Sequence, residues 1–304
     1  MLDALIGLMA AFTLVAPAHA ASFVNANQVL KPLPSAATQP IAKPPTKRHP
    51  ESLGVQTTSH AVFVADLATG NVLYAKKPHD VMPIASLTKL MTAMVVLDGN
   101  PDLNATITFA DEDFKGESTA VFAPGDTITI DQAMHALLIG SVNVAGNALA
   151  RSTMGKDAFV AAMNQKAKDL KLASPVFVDP TGVDTLNRGN AADVAAMLSI
   201  AISYPEIRGI VSQPSVTVVT NEGKSVAIKS TNLLLDSFLN KKPYKILGAK
   251  TGSLPEAGYD MAQITQDGNG HSIVAVIIAS PNHFSRFADM KAVTAWTFDT
   301  YQWE

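Results

Sequence analysis

The sequence contains no cysteine. That excludes a disulfide framework, a thiol nucleophile and a thiolate zinc site. Charge is sparse as well, at 16% of the 304 residues, and the formal net charge is -3. The lack of a basic excess argues against a general nucleic-acid binder. His60, His79, His135, His271 and His283 show no metal-ligand spacing, so no metal or other cofactor is expected. No internal repeat is visible. Hydrophobic residues are plentiful, at 47%, enough to bury a sizeable core in one large domain or two small ones.

Only one long apolar run exists. Leu5 to Val15 is followed by Pro17-Ala18-His19-Ala20-Ala21. Ala18-His19-Ala20 fits the small-x-small rule for signal cleavage, and the run is too short to span a bilayer. Residues 1–20 therefore read as an export signal, although Met1-Leu2-Asp3 lacks the usual positive charge. Export to the periplasm or cell exterior is expected, with no stable membrane anchor once the signal is removed. Residues 21–59 are rich in Pro, Ala, Thr and Lys and have no sustained period. They read as a linker. Folded sequence, 60–304, is expected to begin at His60.

Within that domain, Ala61 to Ala65 and Asn71 to Ala75 flank the turn Ala68-Thr69-Gly70, a hairpin pattern. Pro83 stands where a helix can start, and Ile84 to Leu97 is helical in composition, stopped by Asp98-Gly99-Asn100-Pro101. Further helices are expected over Asp131 to Ile139, Val144 to Arg151, Asp157 to Leu170 and Ala191 to Ser203. Strand patterns then follow at Ser215 to Val219, Ser225 to Lys229, Lys245 to Lys250, Tyr259 to Thr265 and Ser272 to Ala279. A last helix covers about Phe284 to Tyr301, and its apolar stripe (Phe287, Met290, Val293, Trp296) suits packing on a sheet. The expected architecture is α+β: a mainly antiparallel sheet, a helical cluster over it, and an active site at the seam.

Three short motifs carry candidate chemistry. Ser86-Leu87-Thr88-Lys89 places a hydroxyl and an amine on one helix face. A serine hydroxyl becomes a nucleophile when a base takes its proton. A lysine can be that base if apolar surroundings or a neighbouring cation lower its pKa. Ser141-Val142-Asn143 lies on a turn between two helices, where a hydroxyl can relay a proton and an amide can hold a carbonyl. Lys250-Thr251-Gly252-Ser253 closes an apolar strand and can set a cation and hydroxyls beside a carboxylate. At Gly252, room for a close substrate backbone is expected. Ser-x-x-Lys alone should occur about once by chance in a chain of this size, and Lys-Thr-Gly in roughly one such chain in fifteen. The ordered conjunction on helix, turn and late strand is far more specific.

On these residues the sequence resembles the D-alanyl-D-alanine carboxypeptidase family of low-molecular-mass penicillin-binding proteins. The resemblance runs from about His60 to the end. It also includes Pro83-Ile84-Ala85, Asp179-Pro180-Thr181-Gly182, Thr231-Asn232 and Ala257-Gly258-Tyr259, and it is greatest to the short D-alanyl-D-alanine endopeptidases. Val142, Gly189-Asn190-Ala191-Ala192-Asp193 and Ser253-Leu254 depart from the family pattern. The resemblance implies a β-lactamase/transpeptidase-like fold and hydrolysis of peptidoglycan stem peptides through a Ser86 acyl-enzyme. It makes Lys89 the acylating base. Ser141 and Asn143 would relay protons and position substrate, and Lys250 and Thr251 would engage its carboxylate. The amides of Ser86 and Ser253 would form the oxyanion hole, and β-lactams would act as covalent inhibitors. A class A-like β-lactamase would need a deacylating glutamate, and no Glu lies between Glu117 and Glu206. A non-catalytic penicillin-sensing or wall-binding domain would lack part of the constellation, whereas all of it is present.

Overall fold

The computed structural model describes residues 43–115 and 120–304. The expected signal at 1–20 and the first part of the expected linker, 21–42, lie outside the described residues.

The α+β expectation holds. Five antiparallel strands form the central sheet, in the spatial order Lys245–Leu254, Gly258–Gln266, Ser272–Ser280, Ala61–Asp66 and Val72–Lys76. The first hairpin thus joins the late strands through Ser272–Ser280, with Val276 opposite Phe63. That strand reads as an unbroken apolar run because both of its faces are covered. Side chains alternate across a strand. Val274, Val276 and Ile278 enter the core under the helical cluster, while Ile273, Ala275 and Ile277 enter a second core.

The helical cluster is built from α1 (Lys89–Asp98), α2 (Ile130–Ile139), α3 (Asn143–Met154), α4 (Lys156–Asp169), α5 (Ala191–Ala201) and α6 (Pro205–Ile210). Helix α1 is its axis: all of Lys89 to Val96 is buried, as an all-round apolar helix requires. Each large side chain so buried, such as Leu90 or Met94, contributes about 1.5–3 kcal/mol relative to exposure. Thr129 and Gln132 close a capping box at the start of α2, which fixes where the following turn at Ser141 falls. The last helix, α7 (Ser285–Thr300), covers the opposite face of the sheet with Phe287, Met290, Val293 and Phe298.

Three local expectations are corrected. Pro83 does not begin a helix; Met82–Pro83 pairs with Arg188–Gly189 as a short ladder. The expected Ile84–Leu97 helix divides into a 3₁₀ turn, Ala85–Thr88, and α1. The strand carrying Lys250 runs on to Leu254, because Thr251 to Leu254 continue the ladder against Gly258 to Met261.

Part of the stretch read as linker is also attached to the domain. Thr46–Lys47 pairs with Tyr301–Gln302. The Thr58 and Ser59 amides donate to Asp289, and the Tyr74 hydroxyl donates to Val55 O at 2.8 Å. Such an extended segment is held by polar bonds to side chains, so no apolar period marks it in the sequence. Among the described residues, no helix is long and apolar enough to cross a membrane.

Candidate active site

The 3₁₀ turn brings the first two groups together. With three residues per turn, side chains at i and i+3 eclipse, and Lys89 Nζ lies 2.7 Å from Ser86 Oγ. The turn is strained: Ala85 has φ +44°, a conformation side chains resist. Two glycines hold it there. A Cβ on Gly182 (φ +80°) would stand 1.8 Å from Ala85 O, and one on Gly252 would stand 3.1 Å from both Ala85 Cβ and Ile84 O. Gly252 therefore lets the nucleophile turn approach the strand closely, and it also lines the cleft beside Ser86.

Lys89 is fully buried, at 0% exposure. Its Nζ also bonds Asn143 Oδ1 at 2.7 Å and Thr181 O at 2.6 Å. Both of those oxygens can only accept. A neutral amine has two N–H donors, so satisfying both leaves its lone pair toward the Ser86 hydroxyl. That is the arrangement of a general base and its nucleophile.

Asn143 opens α3, two residues after Ser141, whose φ is +59°. Thr181 is placed by Asp179, a buried hub. Its carboxylate accepts from the Thr181 amide (2.6 Å) and hydroxyl (2.7 Å), the Gly182 amide (2.8 Å), the Asp184 amide (2.9 Å) and the Asn187 side-chain amide. Burial alone would raise this carboxyl, but the bonds from Thr181, Asp184 and Gly182 outweigh it and hold it below the usual range. Thr92 anchors the same loop through Pro180 O at 2.5 Å.

The third motif arrives from the sheet. Lys250 Nζ donates to Ser141 Oγ at 2.8 Å and to Thr251 O at 2.9 Å. Lys250 is 1% exposed, and its ammonium is pushed well below its ordinary range by burial first, then by the charges of Lys89 and Arg286. The Thr251 and Thr231 hydroxyls are 2.6 Å apart. Ser253 is exposed at the rim.

Together these groups line a cleft of about 280 Å³ whose walls include Ser86, Ser141, Thr231, Thr251, His283 and Arg286. Six expected residues thus come together as a group of three, Ser86–Lys89–Asn143, and a pair, Lys250–Ser141, with Thr251 beside them. Sequence reasoning missed the contribution of Arg286, read only as part of the last helix. It is buried, it donates through Nη1 to Gly252 O at 2.8 Å, and its Nη2 meets His283 Nδ1 at 3.1 Å. A lone arginine in an otherwise apolar stripe (Phe287, Met290, Val293) was the available signal. Among the described residues, no group of three His, Asp or Glu is placed to hold a metal ion.

A serine–lysine pair with a second buried lysine and a hydroxyl relay defines a class, the active-site-serine acyl-transfer enzymes. A profile of the D-alanyl-D-alanine carboxypeptidase family, peptidase family S11, matches residues 45–282. The chain belongs to that family and is a serine DD-peptidase. It is 33% identical over 267 residues to a D-alanyl-D-alanine endopeptidase of Pseudomonas aeruginosa, covering 86% of this chain and 84% of that relative. It is 28% identical over 245 residues to the Escherichia coli D-alanyl-D-alanine endopeptidase, covering 79% and 77%. Among solved structures it superposes on the Streptomyces K15 DD-transpeptidase with a TM-score of 0.75 at 25% identity, over 82% of this chain and 100% of that one. A cefotaxime-bound penicillin-binding protein D2 of Listeria monocytogenes gives a TM-score of 0.71 at 27% identity, over 81% and 100%. The fold is therefore transpeptidase-like.

Proposed function

We propose that the chain cleaves the bond on the carbonyl side of D-Ala in peptidoglycan stem peptides, including D-Ala crosslinks, through an acyl-enzyme on Ser86. The observation that carries this is the Lys89 Nζ to Ser86 Oγ contact of 2.7 Å, closed by two acceptor-only oxygens. The Ser86 proton passes to Lys89 as Oγ attacks the D-Ala carbonyl carbon. The Ser86 and Ser253 amides receive the oxyanion; losing one such donor typically costs about 3–4 kcal/mol of transition-state stabilisation. The leaving amine takes a proton relayed through Ser141, which Lys250 holds at 2.8 Å. Water then cleaves the ester. Thr251, Ser253 and Arg286 receive the substrate's carboxylate.

Crosslink cleavage is favoured because the Pseudomonas and Escherichia relatives carry the endopeptidase name. β-Lactams acylate Ser86 in the same way and stay bound. The lactamase alternative needs a free carboxylate near the ester, whereas Asp179 is engaged by five donors. Export through residues 1–20 would put the enzyme beside its substrate.

Digestion of purified crosslinked and uncrosslinked muropeptides tests the reading. Dimer cleavage is expected, together with a stable labelled-penicillin adduct. Release of D-Ala from pentapeptide alone would restrict the enzyme to carboxypeptidase action. Ser86→Ala should lose both cleavage and labelling, with cleavage falling by roughly 10⁴-fold or more. Unchanged cleavage by that variant would remove the mechanism.

A further inference from the structure

Beside the Lys250 strand lies a carboxyl that the proposed chemistry does not use. Asp260 is fully buried on the Gly258–Gln266 strand. It pairs across the ladder with Gly252, and directly opposed residues share a face. The Gly252 face packs on Ile84, Ala85 and Ser86, so Asp260 stands next to the seat of the nucleophile turn. Its Oδ1 accepts from the Ala279 amide at 2.8 Å. Ala279 has φ +55°, and the register shifts between Tyr259 and Met261. The carboxyl thus ties together an irregular stretch of the sheet.

Its other oxygen, Oδ2, is buried without a hydrogen-bond partner, as are Ser280 Oγ and Arg286 Nε. Arg286, from α7, is the charged group acting on Asp260. Tyr259 acts on Arg286 in turn, and His283 meets the far end of the guanidinium. On the neighbouring strand Lys250 is engaged by Ser141. Along α7, Asp289 is engaged by Thr58 and Ser59. Arg286 spends Nη1 on the backbone oxygens of Gly252 and Asp260, with no ion pair to a carboxylate among the described residues. A buried carboxylate left with an unpaired oxygen is costly, and the neutral acid lowers that cost by removing the charge. Burial pushes the Asp260 carboxyl up to about 8, against the opposing pull of the Ala279 amide and the Arg286 charge.

We propose that Asp260 is a positioning residue that serves in its neutral, protonated form, holding the irregular strand beside Gly252 and leaving the Arg286 charge to the substrate's carboxylate. The idea rests on the reading of the cleft given above. Once ionised, Asp260 competes for Arg286, and capture of an anionic substrate weakens. The Ser86–Lys89 contact lies on other residues, so the effect falls on KM rather than kcat.

The test compares the wild-type full chain with Asp260→Asn and Asp260→Leu from pH 6 to 10, using a D-Ala-D-Ala peptide. Wild-type KM should rise with a midpoint at about 8, by on the order of tenfold, the scale of one charge-assisted hydrogen bond. Asp260→Asn should have a KM near wild type at pH 6 and lack that rise. Asp260→Leu, unable to hold the Ala279 amide, should have a raised KM throughout. A rise of equal size in the Asn variant, or none in wild type, overturns the proposal.

A second readout needs no activity. A carboxyl raised above its ordinary 3.8 lends stability that is full below that value and lost as pH rises through about 8. The Tm advantage of Asp260→Asn over wild type should therefore widen from pH 6 to 8 and level off above. A constant Tm difference overturns the proposal even if the protein cleaves no peptide, whereas a widening one with no cleavage faults only the functional reading.

Discussion

On the helical side of the cleft, Lys89 meets Ser86, Asn143 and Thr181, and Asp179 behind them takes five donors. On the sheet side, Asp260, Ser280 and Arg286 each keep a buried polar atom without a partner. In the first wall the amine and its supports are held before substrate arrives, as proton transfer requires of groups that must not reorganise during reaction, although Thr88 Oγ1 in the same turn is buried without a partner. The second carries a cationic group with no carboxylate, and unsatisfied buried polar atoms are rare enough to call for a reason. On the function proposed above, an anionic ligand would supply that reason for the guanidinium.

Three perturbations separate the two walls. The largest effect is expected from Lys89→Met, which keeps the volume and removes the amine. Penicillin acylation should slow by roughly 10⁴-fold, as for loss of a group acting as a unit with its nucleophile. Stopped-flow labelling measures this, and a loss below tenfold would move the base elsewhere. Next comes Gly182→Ala, whose new methyl meets Ala85 O at 1.8 Å in a residue already at φ +80°. Destabilisation of ~3 kcal/mol is expected, read as a lower denaturant midpoint together with slower acylation. A variant as stable as wild type would show that the turn is not clamped. The smallest is Arg286→Gln on the sheet side. It should lower kcat/KM by roughly 10–100-fold, mostly through KM, as one charge-assisted bond to a carboxylate would. Equal loss in kcat would place Arg286 on the chemical step and erase the contrast between the walls.

Legibility in the sequence differed between the same two regions. Ser86 and Lys89 could be paired from spacing alone, because i and i+3 share a face in an α-helix and eclipse in the 3₁₀ turn that forms here. The apolar run Ser272–Ser280 was readable as a strand, and the helices from α2 to α5 were visible from their apolar spacing. The division of Ile84–Leu97 was not, because the strain at Ala85 comes from Gly182 and Gly252, both remote in sequence. The attachment of residues 46–59 was hidden because it uses hydrogen bonds to Asp289, Tyr74 and Lys76 in place of a periodic apolar face. Arg286 was overlooked because one cation among apolar residues of a helix has no period to reveal it.

By itself the sequence determined which residues are candidates for the chemistry and the order in which they occur, since the spacing of hydroxyl and amine and the helical phase are encoded within a few neighbouring positions. Only tertiary structure decided what those residues become. Lys89 reaches Thr181 across 92 positions, and Lys250 reaches Ser141 across 109. Burial, neighbouring charge and close approach set whether an amine is a base or a solvated cation, and all three are properties of the packed molecule.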